Sequence, residues 1–74
     1  MNTYECHKVV RAKSMSRLEY NTLRGWVVPF DEDGADSGYL VEYTDGGTGN
    51  HKDYVGYISW SPKAQFDAGY TEVV

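Results

Sequence analysis

Seventy-four residues make one small domain, because a chain this short buries only about 60–65% of its unfolded surface and has no room for a second core. A lone cysteine, Cys6, excludes an internal disulfide, and no apolar run approaches the roughly 18 residues that a spanning helix needs. The formal charge of −4 excludes the broadly basic footprint on which direct nucleic-acid binding depends.

In chain order, residues 3–11, TYECHKVVR, alternate loosely and carry β-branched Val9 and Val10, which predicts a first strand. Ser16 followed three residues later by Glu19 is a capping-box pattern. It predicts a helix from about Arg17 to Arg24, with Leu18, Leu23 and either Tyr20 or Asn21 on its apolar side and Gly25 as its stop. Trp26-Val27-Val28 reads as a short extended segment that Pro29 ends. Phe30 to Ser37, FDEDGADS, has no periodicity and predicts an acidic surface loop. Its start lacks the twelve-residue ligand spacing and closing Glu of a calcium loop.

Gly38 to Thr44, GYLVEYT, predicts the clearest strand. Tyr39, Val41 and Tyr43 share one face of it; Leu40 and Glu42 share the other. A glycine-rich turn, Asp45 to Asn50, leads to a return strand over Tyr54 to Trp60. Ser61-Pro62 predicts a capped helix start, Gly69 suits the left-handed residue that closes a helix, and Tyr70 to Val74 predicts a last strand. The order β-α-β-β-β-α-β implies an α+β fold: a small antiparallel sheet of three to five strands with two short helices packed on it.

Charge and rings are unevenly spread. Residues 1–24 carry five basic against two acidic side chains, and residues 25–74 carry two against nine. Seven of the eleven aromatic residues fall between Tyr39 and Tyr70. Tyr39 or Tyr43, Phe66 and one tryptophan are expected in the core. The remaining rings suit a binding surface, because Tyr and Trp give wide contact area at low entropic cost. Trp60 and Tyr70, on either side of the Ser61-Pro62 bend, are expected to frame it.

Catalysis is not expected. No Ser, His and acid share a nucleophile context, and Cys6 and His7, adjacent on the expected strand, would face opposite sides. Cys6, His7 and His51 are too few soft ligands for a structural zinc site. Neither a metal nor a cofactor is expected. The Asp45–Lys52 loop misses the spacing of a phosphate loop and reads as a hairpin connection. One thiol and no secretory leader lead to an expectation of a reducing cytoplasm. Self-association is the remaining route to added stability in so small a chain, so a homo-oligomer stays open.

The stretches GYLVEYTDGG, NH and YVGYISWSPKAQFDAGY, together with MSRLEYNTLRGW at residues 15–26, resemble a group of small proteins carried by tailed bacteriophages and prophages, over roughly residues 14–72. A weaker resemblance is to the phage anti-Thoeris sponge family, which sequesters a cyclic ADP-ribose-type immune signal. Its Trp-containing strand, short helix and late aromatic would correspond to Trp60, Pro62 and Tyr70. The helix is shorter here, and Gly69 and Tyr70 stand at that family's acidic and Trp positions. The resemblance therefore implies a ligand class and oligomeric binding, and no residue-by-residue site.

Three functions follow as expectations. As a counter-defence sponge in the host cytoplasm, the chain would stack a base on Trp26, Tyr57 or Trp60 and hold phosphate or ribose with Arg24, Asn50 or Lys52. As an acidic inhibitor, anti-CRISPR-like or a DNA mimic, it would dock on a host protein through Asp31, Glu32, Asp33 and Asp36, with Asp45 beside them. As a phage accessory protein, it would use its rings only for packing and self-association.

Overall fold

The computed structural model describes residues 1–73. Among them lie β1 (Val10–Ser14), α1 (Arg17–Arg24), β2 (Gly38–Tyr43), β3 (Tyr57–Pro62) and α2 (Lys63–Gly69). The strands form one antiparallel sheet in the order β1-β2-β3, giving a small α+β fold. Leu40 sits opposite Lys13 on one side and Trp60 on the other; Val41 sits opposite Ala12 and Ser59.

Because side chains alternate along a strand, this register sorts the sheet into two faces. Leu40, Ile58 and Trp60 share the face that α1 covers. There Tyr20, Leu40 and Ile58 form the core, with Met15, Leu23, Tyr54 and Trp60 packed against it. Tyr39 and Val41 belong to the opposite face, where α2 lies. Phe66 stacks on Tyr39 with ring centroids 4.3 Å apart and on Tyr70 at 4.6 Å.

The first helix forms as its capping box predicts. Ser16 Oγ accepts the Glu19 N–H at 3.1 Å, Glu19 Oε1 accepts the Ser16 N–H at 3.0 Å, and Gly25 closes the helix at φ 76°. Its buried side differs from expectation. Tyr20 and Asn21 are buried, whereas Leu18 is exposed. Leu18 lies against the acidic loop instead: its Cβ would meet any Cβ added at Gly34 at 3.2 Å.

The strand limits also differ, and the partner's length explains them. Val10 and Tyr57 both pair with Tyr43, the last residue of β2. Residues 3–9 and 54–56 therefore have no strand to pair with, and the expected strands over 3–11 and 54–60 become Val10–Ser14 and Tyr57–Pro62. Residues 26–28 form no strand. The outer edge of β3 is already engaged by Asn50, whose amide gives a hydrogen bond to the Ile58 carbonyl at 2.9 Å and takes the Ile58 N–H at 2.7 Å.

The second helix departs most. Ser61 stays in β3, paired with Tyr39, so Pro62 occupies the cap without a side-chain bond. Gly69 is not left-handed; α2 ends at an extended Tyr70, whose N–H reaches the Phe66 carbonyl at 2.9 Å. That ring-on-ring contact keeps Tyr70 against the α2 face. Residues 70–73 consequently form no strand, and Val74 of the expected strand lies outside the described residues. Trp60 and Tyr70 sit on opposite faces, so the bend between them frames no common surface.

Candidate functional site: a groove between the first helix and the outer strand

The helix presents Arg17, Tyr20, Asn21 and Arg24 at i, i+3, i+4 and i+7, a spacing that puts all four on one side. These residues, the segment at Trp26, Val27 and Pro29, and the outer part of β3 line a groove of about 530 Å³. Each wall has a local cause. The capping box sets where α1 begins, Gly25 turns the chain outward, and the Trp26 N–H is held by the Asn21 carbonyl at 2.7 Å. Trp26 is consequently left half exposed, at 54%.

Two cations meet two indoles here. The Arg24 guanidinium lies 4.5 Å from the Trp26 ring centroid and donates to Tyr20 Oη at 3.1 Å. Arg17 lies 4.4 Å over Trp60 and pairs with Glu32 at 3.4 Å. Each such stack contributes about 0.5–2 kcal/mol, more as it is desolvated. Trp60 is fixed further by its indole N–H, which donates to the Met15 carbonyl at 2.7 Å. A Cβ on Gly38 would collide with the Trp60 indole and the Ser61 carbonyl, so glycine there is what lets the ring lie where it does. Arg24 therefore presents fixed donors beside a half-exposed indole, a pairing suited to a flat ring that carries an anionic group.

The groove gathers Arg24, Trp26, Asn50, Tyr57 and Trp60, five of the residues that sequence pattern singled out. Lys52 is exposed on the adjoining loop and does not line it. Two of the five have other duties. Both polar atoms of the Asn50 amide are bonded to Ile58, and the Tyr57 ring pairs with Tyr43 at 6.3 Å on the α2 face. That leaves Trp26 as the half-exposed ring of the groove, with Arg24 and Arg17 as its two cations. Arg17, Tyr20 and Asn21 were missed by sequence reasoning; their spacing with Arg24 was the signal.

Of the acidic residues, Asp31, Glu32, Asp33 and Asp36 are exposed on one loop, and Glu32 also lines the groove. Asp33 accepts the Ala35 N–H at 2.9 Å. Asp45 lies apart, paired with Lys8; that hydrogen bond holds the Asp45 carboxyl below and the Lys8 ammonium above their usual values.

A second groove of about 620 Å³ opens on the α2 face beside Lys8, Val10, Tyr39, Phe66 and Tyr70. Burial pushes the Tyr70 phenol above its ordinary value. Among the described residues, no cluster of three metal-ligating side chains occurs and no helix is long and apolar enough to cross a membrane. No family model, curated protein or solved structure matches this chain.

Proposed function

We propose that this chain is a non-catalytic, phage-encoded binding protein that sequesters a nucleotide-type molecule in the α1–β3 groove, and so counters a host defence signal in the host cytoplasm. The observation that carries this reading is the pairing of Arg24 with the half-exposed Trp26 indole at 4.5 Å, beside Arg17 on Trp60 at 4.4 Å. An indole face takes a base, and a guanidinium takes a phosphate by two parallel hydrogen bonds. The resemblance of residues 15–26 and 38–70 to small phage proteins supports the biological setting. Calorimetry against cyclic nucleotides and ADP-ribose isomers tests it. Binding weakened at least tenfold by Arg24→Ala, with Lys52→Ala equal to wild type, is the expected result. No heat from any of these compounds overturns the reading.

A second reading has one observation in its favour: Asp31, Glu32, Asp33 and Asp36 are all exposed on a single loop. A host protein with a basic face would meet four carboxylates there. Salt-sensitive capture of such a protein, lost on neutralising Asp31, Asp33 and Asp36, is what this alternative predicts; capture that survives neutralisation excludes it.

A further inference from the structure

The groove contains a polar side chain with nothing to bind. Asn21 is 5% exposed, lines the groove, and its amide takes part in no hydrogen bond among the described residues. No sealed side-chain nitrogen or oxygen among these residues lacks a partner, so the Asn21 amide keeps access to solvent, and the residue lines the groove. Asn50, the other amide in the groove, is the contrast: its oxygen and nitrogen are both spent on Ile58. The Asn21 side chain therefore keeps its donor and its acceptor free of protein partners in a nearly buried position. Its backbone cannot have drawn it there for capping, since only the Asn21 carbonyl serves the helix end, accepting from Gly25 and Trp26.

A free amide presents one acceptor and one donor side by side. On an adenine ring, the exocyclic amino group and the neighbouring ring nitrogen present the complementary pair, which is why Asn reads adenine bidentately in nucleic-acid complexes. Asn21 is one helical turn from Arg17 and three residues from Arg24, the two groups placed for phosphate. We propose that Asn21 is the specificity-determining residue of the groove and that the ligand it selects is an adenine nucleotide, recognised through its amino-bearing edge. This rests on the groove being a nucleotide site, and adds which base it prefers and which residue prefers it.

The test compares AMP with the 5′-phosphate of purine riboside, which differs only in lacking the amino group. Wild type is expected to bind AMP at least tenfold more tightly, and Asn21→Leu to bind the two equally. A site built to bond a polar group discriminates against the analogue that lacks it, whereas an apolar one does not. Thermal melting of Asn21→Leu, expected close to the wild-type temperature because no side-chain hydrogen bond is removed, separates lost recognition from lost fold. Asn21→Asp, whose carboxylate only accepts, gives a second handle: its preference should move from AMP toward GMP, which offers two adjacent donors. Equal wild-type affinity for the two purine phosphates, or a preference that persists in Asn21→Leu, overturns the assignment to Asn21 and leaves the groove as a nucleotide site. Failure of both ligands to bind wild type removes the groove reading itself.

Discussion

Trp60 is held from three directions: the Met15 carbonyl takes its N–H, Arg17 lies over its ring, and Gly38 leaves it the space it occupies. Gly38→Ala must displace either the indole or the Ser61 carbonyl, so we expect a loss of roughly 2 kcal/mol or more in urea unfolding. Asn50 plays a different part. Its amide satisfies both outward-facing backbone groups of Ile58 on an edge strand, where open groups would invite pairing with another chain. Asn50→Ala should cost about 1–3 kcal/mol, because the N–H and carbonyl of the buried Ile58 lose their bonds. The neighbouring exposed Lys52→Ala should stay within about 0.5 kcal/mol of wild type. Equal effects at the two positions would show that the amide has no such structural role.

The two helices illustrate what a local pattern can and cannot specify. Ser16-Arg17-Leu18-Glu19 forms its capping box because both hydrogen bonds lie within four residues and need no tertiary partner. Ser61-Pro62 looks equally suitable, yet Ser61 remains in the strand because pairing with Tyr39 holds it there. Ser16→Ala should therefore cost about 1 kcal/mol, and Ser61→Ala about 0.5 kcal/mol or less. Both are read from urea unfolding. Hydrogen bonds from Ser16 hold the Glu19 carboxyl below its usual 4.5. A folded-state value lower than the unfolded one gives stability that is present above about pH 4.5 and lost as pH falls through the depressed folded value. The melting temperature of Glu19→Ala should accordingly lie below wild type at pH 7 and converge on it as pH falls below 4.5; a constant offset would contradict the assigned cause. The strand centres and the Gly25 stop were legible for the same local reason. Strand ends were not, because β2 sets them from a distance through Tyr43, and no spacing within residues 3–9 or 54–56 encodes that length.

At the scale of the molecule, the sheet separates two kinds of surface. One face carries the Tyr20–Leu40–Ile58 core under α1 and ends in the cationic, indole-lined groove; the other carries the Tyr39–Phe66–Tyr70 stack under α2. The separation explains how much of the candidate site was legible. Trp26, Trp60 and Arg24 stood out by residue type. Arg17 and Asn21 did not, since their relevance appears only when α1 is laid beside β3. Tyr70 stood out and lies on the wrong side, because α2 carries it back over the opposite face, where it stacks on Phe66. The central claim is that a nucleotide lodges between α1 and β3. Its most direct test is an AMP titration followed by backbone amide, side-chain amide and indole NMR signals. The account predicts progressive, saturable shifts at the Asn21 side-chain amide and the Trp26 indole, with the backbone amides of Lys8 and Tyr70 unmoved. Shifts confined to the α2 face, or none at millimolar ligand, would contradict it.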